Sequence, residues 1–253
     1  MNATSPQPVP KSTPGRPLRV LAVPIAFNEE KKIGSVLDRF NRPDVDEILV
    51  FDDGSTDGTA DAIRARGIGT IRSEKKCGVG NAIRTVYRYG REHGFDVVVI
   101  LAGNDKDRPQ EIPRLLQPIR DDGYDLIQGS RYLPGGDYGN MPIYRRLATQ
   151  FLHPLLFSLI TRRRITDSTN GFRALRLSLL DDPRLDLDQS WLNQYELEPY
   201  LYFKAIRTGY KVKEVPVTKI YPAHELGYTK MKPFSGWWSI LRPLFYLGLG
   251  LKK

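Results

Sequence analysis

Cysteine is almost missing from this chain. Cys77 stands alone, which excludes an intramolecular disulfide framework and fits a reducing compartment. No apolar run reaches the roughly 18 residues of a spanning helix. The N-terminus lacks the apolar stretch of a signal peptide. Acidic residues are in deficit, 29 against 38 Lys and Arg, for a formal charge of +9. That surplus favours phosphorylated small molecules, anionic lipid or nucleic acid as partners, or is a plain solvated basic surface. The basic residues are scattered and form no nucleic-acid module, so nucleic acid is set aside. There is no internal repeat. What remains is 253 residues, 40% hydrophobic, enough for one large α/β domain or a domain with a small appendage.

Residues 47–59 organise the rest. Ile48-Leu49-Val50-Phe51 reads as a buried strand. Asp52 and Asp53 fall at its end, Gly54-Ser55-Thr56-Asp57-Gly58 forms a turn, and a helix starts near Thr59 or Ala60. Open parallel sheets bind ligands just outside the carboxyl ends of their strands. Two adjacent carboxylates there are costly unless they hold sugar hydroxyls, a base edge or a cation. The plainer reading is an acidic turn that caps a helix.

Around this stretch, strands and helices alternate. Residues 1–17 carry five prolines among Ser, Thr and Lys and read as a disordered tail. Residues 18–23 form a strand that Pro24 stops, and Asn28 caps a helix whose apolar face is Ile33, Val36, Leu37 and Phe40. A second helix over Ala62, Ile63 and Ala65 ends at Gly67 and Gly69. The basic loop 72–80, with Gly78 and Gly80, runs into a helix at Asn81 and either holds phosphate or is an ordinary turn. Residues 97–101 are the strongest strand and run into Ala102-Gly103-Asn104-Asp105-Lys106-Asp107. A helix from Gln110 and a strand over 125–128 follow, so a mostly parallel sheet with right-handed crossovers is expected.

Beyond Gly139 the pattern changes. A long helix begins at Arg145 and Arg146, with Leu147, Phe151, Leu155, Leu156 and Leu159 as its apolar side, and Arg162, Arg163 and Arg164 close it. Residues 167–174 are a polar turn leading into more helix. Glu196 and Glu198 sit in a helix over 194–207, and 212–217 is an edge strand. Residues 227–232 form a basic loop. The aromatic stretch 234–249 suits a membrane interface, or packs on the domain or on a second copy as a homodimer. The expected division is a tail at 1–17, a domain at 18–220 and the loop with its interfacial segment at 221–253.

Taken together, Pro24-Ile25-Ala26-Phe27-Asn28-Glu29-Glu30, Asp52-Asp53-Gly54-Ser55-Thr56-Asp57-Gly58-Thr59, Gly78-Val79-Gly80-Asn81-Ala82, Gly129-Ser130-Arg131-Tyr132, the run from Asp167 to Ala174 and Glu214-Val215-Pro216-Val217 resemble one family in order and spacing. It is the family 2 glycosyltransferases of GT-A type, in the branch of the dolichyl-phosphate mannose and polyprenyl-phosphate glucose synthases. The resemblance covers about residues 18–233. It implies a Rossmann-like α/β fold and inverting transfer of a sugar from a nucleoside diphosphate donor of GDP-mannose or UDP-glucose type. It implies that Pro24, Ala26, Asn28 and Glu29 cradle base and ribose. Asp53 contacts the nucleotide with Asp52 in support. Gly80 and the turn Ala102-Gly103-Asn104 belong to the same donor pocket. Arg131 lies near the sugar and acceptor phosphate, Arg145 and Thr149 hold that phosphate, and Lys230 covers the diphosphate.

One departure stands out. The family places Asp-x-Asp where this chain has Ala102-Gly103-Asn104. The expectation is a divalent ion, Mg2+ or Mn2+, held by Asn104 with Asp105 or Asp107, against carboxylate-poor odds. The alternatives are that Lys106 supplies a fixed charge and transfer is metal-independent, or that activity is lost and only nucleotide-sugar binding remains. A hydroxyl acceptor needs a base, for which Asp167 stands first and Glu196 second. A lipid phosphate is already ionised and needs none, and Arg131, Arg145 and the aromatic tail favour it. The implied location is cytoplasmic, peripheral on the cytoplasmic face of a membrane.

Overall fold

The computed structural model describes residues 16–221 and 235–252. The proline-rich tail up to residue 15 and the loop 227–232 with Lys230 lie outside the described residues.

The first strand, β1 (Val20–Ala26), is followed by α1 (Glu30–Asp38), β2 (Glu47–Asp52), α2 (Thr59–Arg64), β3 (Gly69–Arg72), α3 (Val79–Glu92) and β4 (Val97–Ala102). Then come α4 (Ile112–Asp122), β5 (Leu126–Ser130), α5 (Ile143–Leu147), α6 (His153–Thr161), β6 (Arg173–Arg176), α7 (Leu197–Arg207), β7 (Val212–Pro216) and α8 (Ser235–Gly248). The strands make one sheet in the order β3-β2-β1-β4-β6-β5-β7. Four pairings are parallel; β6 runs antiparallel to both β4 and β5.

Strand alternation builds two apolar layers. Val20, Ala22, Ile48, Val50, Val97 and Val99 face one side, where Ile33, Val36 and Leu37 of α1 and Leu115, Leu116 and Ile119 of α4 cover them. Leu21, Val23, Leu49, Phe51, Val98 and Ile100 face the other, under α3, α6, α7 and α8. Each fully buried side chain of this size contributes roughly 1.5–3 kcal/mol. Strands covered on both faces read as unbroken apolar runs, which is why β2 and β4 are plain in the sequence.

Four expectations need correction. Pro24 does not stop β1. The strand continues to Ala26, pairing with β4 from Val20 to Ile25, while its ladder to β2 skips Val23 and Pro24. That gap tolerates the donor proline lacks. Asn28 does not cap α1; Glu29 holds the cap position, and Asn28 adopts a φ of 52°. Gly69 opens the edge strand β3 rather than ending a helix. Residues 173–176 are a strand, not helix, because Ala174 and Leu175 are wedged between β4 and β5.

The long helix after Arg145 differs more deeply. It starts at Ile143, and α5 passes through a π-helical turn, Ala148–Leu152, into α6. The side turned inward carries Thr149, His153, Phe157 and Thr161. Leu147, Phe151, Leu155 and Leu159 point outward, with Ile143 75% and Leu159 65% exposed. Of the expected apolar side only Leu156 packs on the core. α8 lies against α6 and α7, burying Leu244 and Leu247 and leaving Trp238 and Phe245 exposed and stacked on each other. Among the described residues no helix is long and apolar enough to cross a membrane.

Candidate active site

The chain runs from β1 outward through β2 and β3, then returns to the other side of β1 as β4. Such a reversal leaves a crevice beyond the carboxyl ends of the strands. A cavity of roughly 620 Å³ occupies it, lined by Ala26, Glu29, Asp53, Ala102, Asn104, Arg131, Arg145 and Thr149 among others. That volume is in the range of small-molecule sites, about 300–1,000 Å³. Asp53 and Asn104, from strands separated by β1, thus share one space.

At the end of β2 the two carboxylates divide their work. Asp52 is buried, accepts the Ser55 N–H at 2.9 Å and lies 3.3 Å from the Arg72 guanidinium. It holds the turn. Asp53 accepts the N–H groups of Cys77 at 2.7 Å and Gly78 at 3.3 Å, drawing the basic loop to the cavity edge. Gly54, at φ 72°, permits that approach, since a Cβ there would lie 2.6 Å from the Lys75 carbonyl carbon. The loop after β1 is stitched to the same turn. Asn28 accepts the Thr56 N–H at 2.9 Å, and the Glu29 N–H donates to Thr59 at 2.8 Å. Glu29 is ion-paired with Lys32 at 2.6 Å and faces the cavity, where Lys76 sits 3.9 Å from the Phe27 ring centre. Gly80 is not at the cavity. A Cβ on it would lie 2.0 Å from the Leu192 carbonyl, so this glycine lets α3 pack on the 192–194 segment.

Another part of the cavity wall is built around Arg131. Its guanidinium grips Asp167 through Nε at 2.6 Å and Nη2 at 2.8 Å, and its own N–H donates to the same carboxylate at 3.1 Å. Burial pulls Arg131 toward losing its proton, but the charge and hydrogen bonds of Asp167 outweigh that and hold it fully protonated. Glu214 accepts the Thr166 and Asp167 N–H groups at 2.8 Å each, fixing the turn, and its burial raises its own pKa. Thr149 takes a hydrogen bond from the Tyr132 hydroxyl at 2.6 Å and donates to the Arg145 carbonyl at 2.8 Å. Nearby, His153 donates from Nε2 to the Ile240 carbonyl at 3.2 Å, so Nδ1 accepts from Ser168 at 2.7 Å. Burial pushes this imidazole down to about 4.

The two proposed bases are engaged elsewhere. Asp167 is fully buried behind Arg131 and does not line the cavity. Glu196 also lies off the cavity, ion-paired with Arg242 of α8 at 2.6 Å. Sequence reasoning missed Glu198, which lines the cavity paired to Arg173 at 2.9 Å. It also missed Lys219 and Tyr221, which lie just past the Glu214-Val215-Pro216-Val217 signpost in an extended run; its alternation was the available signal.

A divalent ion at the β4 turn requires carboxylate oxygens that are unspent. Asp105, at φ 64°, turns away to a two-pronged ion pair with Arg39. Asp107 is fully buried, accepting the Ala102 N–H at 2.8 Å and the Lys219 ammonium at 2.5 Å. Of the three, Asn104 alone offers an oxygen, Oδ1, which is buried and accepts no hydrogen bond among the described residues. Among the described residues no three His, Cys, Asp or Glu side chains cluster as ligands. Asn104, Asp105 and Asp107 do not fit a metal.

Comparison with known proteins is consistent across sequence and fold. The profile of Glycosyl transferase family 2 matches residues 22–182. Undecaprenyl-phosphate mannosyltransferase of Micrococcus luteus is 33% identical over 221 residues, 85% of this chain and 88% of that protein. Polyprenol monophosphomannose synthase of Mycolicibacterium smegmatis is 33% identical over 221 residues, 84% of this chain and 81% of that one. Among solved structures, glucosyl-3-phosphoglycerate synthase of Mycobacterium tuberculosis, with Mn2+, UDP and phosphoglyceric acid, has a TM-score of 0.64 at 22% identity, covering 90% of this chain and 78% of that one. That last likeness is one of fold. The crevice at the strand reversal, the profile and the relatives agree, and this chain belongs to glycosyl transferase family 2.

Proposed function

We propose that this glycosyltransferase moves a hexose from a nucleoside diphosphate sugar to a polyprenyl phosphate, inverting the anomeric carbon. One observation carries the reading: a single cavity joins the Asp53 end, suited to a nucleotide, to Arg131, Arg145 and Thr149, suited to a phosphate. The relatives named for polyprenyl-phosphate transfer support the acceptor. Loops 27–29 and 53–56 take the base and ribose. Bidentate pairing with Asp167 keeps Arg131 charged and fixed, so it meets an anion without reorganising.

The reaction needs no proton transfer. An acceptor phosphate oxygen attacks the anomeric carbon from the face opposite the diphosphate. The new C–O bond forms as the old one breaks, and the electron pair leaves on the nucleoside diphosphate. The acceptor is already anionic, so neither Asp167 nor Glu196 has to act as base. Asp167 positions Arg131 instead.

The outward leucines and aromatics of α5, α6 and α8, flanked by Arg145, Arg146 and Arg162, favour a peripheral seat on an anionic membrane surface. A lipid-borne acceptor would then meet Arg145, which belongs to the same α5 but lines the cavity. Cytoplasmic placement accords with the unpaired Cys77.

The test is a transfer assay with the full chain, UDP-glucose or GDP-mannose, and undecaprenyl phosphate in vesicles. The expected product is a sugar phosphate lipid in the organic phase, with inverted configuration by NMR. Donor binding without product from any acceptor would reassign the chain as a nucleotide-sugar-binding protein. Product on soluble alcohols alone would restore the need for a base.

A further inference from the structure

The β4 turn carries charge of the sign opposite to what its place in the fold leads one to expect. Lys106 is buried, its ammonium 4.3 Å from the centre of the Tyr221 ring, and Arg145 lies 5.5 Å from the same ring. Lys219 is bridged to Asp107. A backbone hydrogen bond of 3.0 Å from Ile220 N–H to the Lys106 carbonyl clamps the two segments together. Among the described residues, Lys106, Lys219 and Arg145 thus lie together at the β4 turn. Burial first, then the charges of Lys219, Arg145 and Lys32, push the Lys106 ammonium down to about 7. Lys219, Arg145, Tyr221 and the unpartnered oxygen side of Asn104 all face the cavity beside Ala102.

We propose that Lys219 and Lys106, backed by Arg145, neutralise the donor's diphosphate in place of a divalent ion, so that this transferase binds its donor and turns over without metal. The inference rests on the donor reading above. In the step itself the anomeric C–O bond breaks and its electron pair remains on the diphosphate. The added charge falls beside the Lys219 side chain on the cavity wall, where no metal is needed to meet it. Lys219 makes the direct contact from the cavity wall. Lys106, behind Tyr221, is a positioning charge.

The experiment is calorimetric titration of the full-length protein with UDP and GDP, in EDTA and again with Mn2+. One of the two nucleotides is expected to bind in EDTA, with Mn2+ changing its Kd by less than about threefold. Lys219→Met is expected to weaken binding about tenfold or more in EDTA, and Lys106→Met less, with circular dichroism confirming that both fold. The double variant Ala102→Asp with Asn104→Asp is expected to make binding tighten with Mn2+. Binding by the natural sequence only with Mn2+, or unaltered binding by Lys219→Met, would overturn the proposal while leaving the donor site intact. Failure of both nucleotides under both conditions would remove the donor reading itself.

Discussion

Two helical regions carry the same sequence signature and meet opposite fates. In α1, Ile33, Val36 and Leu37 recur at helical spacing and are buried against the sheet. In α5 and α6, Leu147, Phe151, Leu155 and Leu159 recur at comparable spacing and are exposed. The difference lies on the opposite faces. The outer face of α1 carries charge, with Glu30 and Lys31 exposed. The inner face of α5–α6 carries Thr149, His153 and Thr161, whose polar atoms are all used in hydrogen bonds. A helix that can satisfy polar groups inside does not have to turn its leucines inward. Periodicity reports that a helix has two faces; it does not report what covers the apolar one.

The largest effect expected from this contrast is on the buried side. Ile33→Ala should lose about 2–5 kcal/mol of stability, because the sheet cannot collapse into the space left. Chemical denaturation measures it. A loss below about 1 kcal/mol would mean that α1 is no better anchored than α6.

The second effect probes the polar inner face. His153 joins α6 to α8 through the Ile240 carbonyl, and its folded pKa of about 4 lies below the ordinary 6.5. Above pH 6.5 both folded and unfolded chains hold a neutral ring. As pH falls from 6.5 toward 4 the unfolded chain takes up a proton that the folded protein refuses, so stability falls, and it levels off below 4. The full loss is at most about 3.5 kcal/mol. Denaturation midpoints of the natural protein and His153→Gln, compared across that range, isolate it. Parallel pH curves for the two would place the acid loss elsewhere.

The same contrast explains how far the sequence could be read. β2 and β4 were legible because burial on both faces leaves nothing but apolar residues. The Asp52–Asp53 turn was legible because adjacent carboxylates at a strand end demand partners, though those of Asp53 turned out to be backbone N–H groups of a loop 24 residues away. β6 was illegible, since Arg173, a buried strand residue, reads as a surface one. The metal question could not be settled from spacing. Asp105 and Asp107 are close in sequence, but a positive φ at Asp105 and the burial of Asp107 send them to Arg39 and Lys219. Lys219 went unnoticed because its partner lies 112 positions earlier.

The smallest stability effect is the most telling for function. Leu155→Ser with Leu159→Ser removes two exposed leucines from the outward face of α6. Exposed side chains add little to folding, so the denaturation midpoint should move by no more than about 0.5 kcal/mol. Flotation with vesicles rich in anionic lipid should respond strongly, since each leucine that enters the interface is worth roughly 1.5–3 kcal/mol, and losing two weakens partitioning by about a hundredfold or more. Transfer to undecaprenyl phosphate in vesicles should fall with it, while UDP or GDP binding stays unchanged, because neither residue lines the cavity. A variant that is destabilised by several kcal/mol instead would show that this face is covered by protein, and would erase the difference between α1 and α6.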